Sequence, residues 1–313
     1  MDKIEHLGNC LVTGGTGYIG SRLVKYLVSN GAQVRVLSRN SIQSVDTILC
    51  DFEKEEIPSN ALDSIDTIFH LAGLSKDVGN NQKLEKLYKK INVDVTINLA
   101  ELAITKKVKY FVYISSVKAA GKINIKHGCA TEKDTGELTS VYAKSKREAE
   151  ISLLNLVKDS DMHLSILRPS MVYGPNIGGN IGSMQFGIKQ GWFPPLPKLE
   201  SRKSMIHVDD LVRALIFLVE SNHSDKEIFN ITDGRDYSPR EMYLTMRSCI
   251  NKKHISWSVP RYVFFIASLL SPFLKNRINK ILGNECYSSK KIFSIGFTPE
   301  KQLKDINKSI IKY

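Results

Sequence analysis

The stretch CLVTGGTGYIGSRLVKYLVSNG, residues 10–31, constrains the fold more than any other part of the chain. A short apolar run enters a glycine-rich turn and leaves it as a helix, with apolar residues at helical spacing up to Gly31. The turn holds a GxGxxG spacing at Gly15, Gly17 and Gly20, and a TGxxGxxG spacing at Thr13, Gly14, Gly17 and Gly20. Glycines let a backbone turn tightly and approach a pyrophosphate, while a helix N-terminus offers free N–H groups and partial positive charge. Between a strand and a helix, the pattern predicts a dinucleotide cradle.

The next segments repeat the alternation. QVRVLSR, TILCD, DTIFHLAG, YFVYISS and HLSILRPS read as buried strands, with NVDVTINLAELAITKK as a long helix between them. The expected class is therefore α/β, a Rossmann-type doubly wound parallel sheet with a smaller, mostly C-terminal substrate-binding lobe. Residues 1–170 are assigned to the dinucleotide-binding part, to which the chain returns at about 207–232 through HVDDLVRALIFLVES and EIFNITD. Residues 171–206 and 233–313 form the lobe, whose VYGPNIGGN and GWFPPLP stretches are turn-rich.

Composition removes several alternatives. The five cysteines are odd in number and widely spaced, without a CxxC pair, and the seven histidines include no HExxH. A reduced cytoplasmic protein without structural metal is the simplest expectation. The opening MDKIEHLGNC carries no apolar run of a signal peptide. The most apolar segment, YVFFIASLLSPFL at Tyr262–Leu274, is shorter than the roughly 20 residues that span a bilayer. It reads as a buried or partly buried helix, with a membrane-surface helix as the alternative. The net charge of +12 is scattered along the chain and accompanied by no nucleic-acid motif. It suits an anionic small substrate better than a nucleic acid.

The end of the second strand bears on cofactor choice. An acid there would bind a ribose 2′-hydroxyl, but VRVLSRN offers Ser38 and Arg39. A guanidinium can hold a 2′-phosphate, so NADP is expected, with NAD as the alternative.

One further stretch, SVYAKSKREAE, sets Tyr142 one helical turn ahead of Lys146. Taken with TGGTGYIG, HLAG, NVDVTINLAELA, YISS, YAKSK, RPSMVYGP and HVDDLVRAL in that order, the chain resembles the extended short-chain dehydrogenase/reductase family. It is most similar to the nucleotide-sugar epimerases, dehydratases and ketoreductases of that family. The resemblance implies a catalytic Tyr142 and Lys146, with Ser116 as the hydroxyl donor and Ser115 as the fallback. A nearby ammonium lowers the pKa of a phenol from its usual value of about 10, making it a usable proton carrier. Lys146 would also hold the nicotinamide ribose. The further cofactor contacts implied are Gly14, Gly17, Tyr18, Ile19, Gly20, Ser38, Arg39, Asp51, Phe52, Leu71, Ala72 and Gly73. His70 reads as a strand-end or core histidine.

Dehydratases of this family carry an Asp-Glu pair after the catalytic threonine, where this chain has Val117 and Lys118. Lys118 instead resembles a branch of reductases and epimerases acting at C4 of UDP-N-acetylhexosamine derivatives. In that branch Lys118, Asn180, Lys203 and Arg277 would contact the substrate, with Arg202 as an alternate for Lys203. Met171 departs from the asparagine that many sugar epimerases hold there. The expected activity is NADPH-dependent reduction of a 4-keto-6-deoxy nucleotide sugar, UDP-linked and of the N-acetylhexosamine type, in surface-polysaccharide sugar biosynthesis. A UDP-sugar 4-epimerase with tightly bound NAD is the alternative, and an NADP-sensing binding protein the non-enzymatic one. Such proteins often pair through two helices, so a homodimer is also expected.

Overall fold

The computed structural model describes residues 7–75, 82–123, 128–221 and 223–309. Most of the opening MDKIEHLGNC, read above as lacking a signal run, lies outside the described residues. In chain order the first elements are β1 (Cys10–Thr13), α1 (Gly20–Ser29), β2 (Val34–Ser38), β3 (Asp46–Leu49) and β4 (Thr67–His70). A helical run follows: α2 (Gln82–Lys89), a π-helical turn (Lys90–Asp94) and α3 (Val95–Thr105). Then come β5 (Tyr110–Ile114), α4 (Val141–Leu156), β6 (His163–Pro169), β7 (Met171–Tyr173) and α5 (Gly179–Gln190). β8 (Lys203–His207), α6 (Val208–Glu220), β9 (Glu227–Ile231), β10 (Asp236–Tyr237) and α7 (Pro239–Ser248) lead to α8 (Arg261–Leu270), α9 (Pro272–Leu282) and α10 (Lys290–Ser294).

Seven strands pair in parallel in the order β3-β2-β1-β4-β5-β6-β9. The inner strands are apolar almost throughout because helices cover both faces of the sheet. One face packs Leu23, Leu27, Leu211 and Leu215 against β1 and β4, and the other packs Leu99, Ala103, Ala149 and Leu153 against β4 and β5. The strand order reverses on either side of β1, which opens a crevice beyond the carboxyl ends of β1 and β4.

A three-stranded sheet, β10-β8-β7, stands beside this layer. Tyr173, Met205, Tyr237, Met242 and Tyr243 form its own core with α5 and α7. Helix α7 starts on a capping box in which Ser238 and Glu241 satisfy each other's backbone N–H groups, with Pro239 in the first turn.

One expectation is narrowed and one corrected. Of the buried and partly buried readings of Tyr262–Leu274, the partly buried one holds for α8: none of its residues is fully buried, Phe264 packs against the lobe core, and Tyr262, Phe265, Ile266, Leu269 and Leu270 are exposed. The cysteines are not all free, since the fold brings Cys129 and Cys286 together as a disulfide across 157 residues. The Cys129 Sγ also lies 3.3 Å from an Asp236 carboxylate oxygen. Spacing along a chain carries no information about such tertiary approach. Among the described residues, no helix is long and apolar enough to cross a membrane.

Candidate active site

The crevice at the strand switch is lined by Gly14, Thr16 and Gly17 of the glycine turn, Leu37, Ser38 and Arg39 at the end of β2, and Cys50 to Glu53 after β3. Leu71 to Leu74 after β4 and Ile91 complete it. Gly14 has φ +70°, and a Cβ there would stand 2.8 Å from the Ala72 nitrogen. A Cβ on Gly20 would overlap the Gly14 carbonyl oxygen. Both positions therefore need glycine. Helix α1 begins with no side-chain cap and no acid in its first turn. Its N-terminal N–H groups and partial positive charge suit a pyrophosphate. The turn thus fits the dinucleotide inferred from the sequence.

Of the predicted cofactor contacts, Gly14, Gly17, Ser38, Arg39, Asp51, Phe52, Leu71, Ala72 and Gly73 line this crevice. Tyr18, Ile19 and Gly20 do not. The Tyr18 hydroxyl donates to the Pro175 carbonyl at 3.1 Å, where Arg22 also donates at 2.7 Å, so this side chain ties the turn to the loop after β7. Ile19 packs against the sheet core. Ser38 donates its hydroxyl to the Asn40 carbonyl at 2.5 Å. Arg39 is exposed, and it helps, after the Glu53 backbone N–H and Lys54, to hold the Asp51 carboxyl below the usual range.

Beneath the crevice runs a buried polar chain. His70, fully buried, shares hydrogen bonds with Thr13 Oγ1 at 2.7 Å and Thr96 Oγ1 at 2.8 Å. Thr96 donates its own proton to the Asn92 carbonyl, so Thr96 must accept from His70 Nε2–H, and His70 Nδ1 accepts from Thr13. Thr13 in turn accepts the Ala72 N–H at 3.1 Å. Burial pushes the His70 pKa down to about 3, which keeps the ring neutral. His70 is a structural strut, as its position at a strand end implied.

Asn92 was not singled out in the sequence, and it holds the next contact. Its side chain accepts the Leu74 N–H at 2.7 Å and donates to the Leu74 carbonyl and to Ser145 Oγ, joining the crevice wall to α4. No local signal marks it, since Asn92 is one of several polar residues in NVDVTINLAE.

Tyr142 and Lys146 stand one turn apart on α4, whose N-terminus is capped by Ser140. The Lys146 ammonium is buried and donates to the Ile114 carbonyl at 2.8 Å and the Tyr113 hydroxyl at 3.2 Å. A Cβ placed on Gly73 would lie 3.5 Å from this nitrogen, so Lys146 reaches the crevice floor. Burial lowers its pKa to about 8, against the opposing pull of Glu150. Tyr113 was also missed, and burial raises its pKa well above the ordinary phenol value. Ser116 follows two residues after Ile114, and its Oγ accepts the Lys118 N–H at 3.2 Å, which leaves its own proton to donate.

Ser115, the fallback donor, is committed elsewhere: its hydroxyl donates to Glu150 at 2.5 Å. Glu150 also receives two bonds from Arg168, at 2.8 and 2.6 Å, in a pair that is almost wholly buried. This fork fastens α4 to β6 one helical turn beyond Lys146.

The four predicted substrate contacts divide. Lys118 and Lys203 converge on Glu285, Lys118 in a short ion pair and Lys203 at 3.4 Å. Lys203 also donates to the Lys280 carbonyl at 2.7 Å, and burial lowers its pKa. Asn180 and Arg277 are exposed, on α5 and α9, as is Arg202 ahead of β8. Glu285 was not anticipated, because nothing near it in sequence marks it as the partner of Lys118.

Residues 10–232 match the family model described as "NAD dependent epimerase/dehydratase family". UDP-glucose 4-epimerase of Vibrio cholerae is 30% identical over 260 residues, covering 80% of this chain and 77% of that protein. N-acetyl-alpha-D-glucosaminyl-diphospho-ditrans,octacis-undecaprenol 4-epimerase of Escherichia coli O157:H7 is 24% identical over 304 residues, covering 92% and 90%. The solved structure of UDP-glucuronic acid 4-epimerase from Bacillus cereus, in complex with UDP-glucuronic acid and NAD, superposes with a TM-score of 0.76. That match covers 95% of this chain and 96% of the other at 20% identity, a likeness of fold.

Proposed function

The chain belongs to the NAD dependent epimerase/dehydratase family, among the extended short-chain dehydrogenase/reductases, and is an enzyme; from there we propose that it is a UDP-sugar 4-epimerase working with retained NAD. The observation that carries this most is the Lys146 ammonium, held beside Gly73 at the crevice floor one turn from Tyr142. The NADPH-dependent ketoreductase expected from Arg39 is the weaker fit. Both sequence relatives described above are 4-epimerases and align over most of the chain. Arg39 also shares the crevice with Asp51, whose carboxylate would repel a 2′-phosphate.

A nicotinamide bound in the crevice supplies the hydride acceptor and later the donor. Tyr142 takes the proton of the sugar 4-hydroxyl as that carbon is oxidised, and returns it to the same oxygen when the carbon is reduced on its other face. Lys146 favours the phenolate by its charge. Ser116 donates a hydrogen bond to the sugar oxygen as charge develops on it. Protons and electrons return to their starting count, so no cofactor is consumed.

The test is incubation of the purified protein with UDP-glucose or UDP-N-acetylglucosamine without added cofactor. Interconversion of the C4 epimers, with NAD released on heat denaturation, is expected. Absence of interconversion, together with stoichiometric NADPH oxidation on a UDP-4-keto-6-deoxy sugar, would restore the ketoreductase.

A second reading keeps the chemistry and changes the carrier, placing the sugar on a polyprenyl diphosphate. It is favoured by the outward-facing apolar surface of α8, and the E. coli relative named above bears such a substrate in its name.

A further inference from the structure

We propose that the α8–α9 hairpin is a docking face for an anionic phospholipid bilayer. Tyr262, Phe265, Ile266 and Leu269 repeat at the i, i+3, i+4, i+7 spacing of one helix face, and they are 64, 63, 55 and 69% exposed. The neighbouring Leu270 is 76% exposed. The opposite side is anchored, since Phe264 of α8 and Ile281 and Leu282 of α9 pack against the lobe core. The helix is thus two-sided, with its larger apolar side turned to the outside. A contiguous apolar surface of this kind marks an interaction site.

Charge selects the occupant. From Asn251 to Asn284 there is no Asp or Glu, whereas Lys252, Lys253, Arg261, Lys275, Arg277 and Lys280 contribute six positive charges, half of the net +12. A second copy of this chain laid on the same face would set one basic surface against another, with no acid in the hairpin to answer it. Anionic headgroups answer it directly. Trp257, 61% exposed just ahead of α8, is the residue type that settles at the headgroup boundary. Apolar and aromatic residues on one side of a short helix, with basic residues around it, match a helix lying in the bilayer plane.

The test is co-sedimentation of the full chain with vesicles of phosphatidylcholine alone or mixed with phosphatidylglycerol. Wild-type protein should pellet with the mixed vesicles at least about tenfold more than with the neutral ones, and less so as salt is raised. Phe265→Asp/Leu269→Asp should lower that partition by about tenfold or more. Arg261→Gln/Lys275→Gln, which leaves the apolar stripe whole, should reduce the preference for phosphatidylglycerol several-fold and serves if the first variant misfolds. Wild-type protein remaining in the supernatant with both vesicle types would overturn the proposal. So would equal pelleting of the charged variant, or a wild-type dimer that the same variant dissociates. No turnover enters these measurements, so their failure leaves the epimerase proposal standing.

Discussion

The crevice floor and the α8–α9 hairpin depart from the ordinary inside–outside rule in opposite directions. At the floor, polar and charged groups are buried: His70, Asn92, Lys146, Glu150 and Arg168. On the hairpin, large apolar side chains stand in solvent. Each departure costs stability in isolation, and each is informative because it is unusual. At the floor the groups hold one another in place, so the cost secures geometry. On the hairpin nothing within the described residues covers the outer stripe, so a surface outside the chain is needed to do so.

The largest expected effect tests the floor. Tyr142→Phe should lower kcat about 10³-fold while NAD remains in the purified protein, measured by epimer interconversion and by cofactor release. Unchanged turnover would remove the phenol from the chemistry and leave the floor as scaffolding. Next, Arg168→Met should destabilise the protein by about 3–5 kcal/mol, read from denaturant midpoints, because it leaves Glu150 charged and buried. A loss below about 1 kcal/mol would mean that the floor tolerates disorder behind α4.

The third prediction is a pH dependence. With a pKa of about 8, Lys146 loses its proton as pH rises through that value, so kcat should fall about tenfold per pH unit above it. Stability should move the other way. The unfolded lysine keeps its proton up to a pKa of about 10.4, so between the two values the unfolded state binds more protons and stability rises with pH. A flat rate profile up to pH 10 would sever the ammonium from the mechanism. The smallest effect probes the lobe. Glu285→Gln should lower KM for the nucleotide sugar about two- to fivefold with kcat unchanged, because it releases Lys118 from its ion pair. An unchanged KM would make the Lys118–Glu285–Lys203 cluster purely structural.

What was legible in the sequence was what is written within a few residues. The glycine turn, the strand that enters it and the Tyr142–Lys146 pair are local patterns, and the structure brings the turn and the Lys146 ammonium to one crevice. Partners distant along the chain were not legible. Tyr113 meets Lys146 across 33 residues, Asn92 meets Ser145 across 53, and Glu285 meets Lys118 across 167. The hairpin was legible only in part, for another reason. Helical periodicity finds an apolar face but does not say how much of it the fold covers, and in α8 only a minor side is covered while most of its large apolar residues stay exposed.

The π-helical turn at Lys90–Asp94 has a consequence for anyone shortening this protein. Deleting one residue there would restore an unbroken α-helix from α2 to α3, a locally favourable repair. The flanking helices would keep nearly their present faces, since the π turn only accommodates one residue more than an α turn, but the wide turn that carries Asn92 would be gone. Asn92 would swing off Leu74 and Ser145, and a better-formed helix would then belong to a worse enzyme.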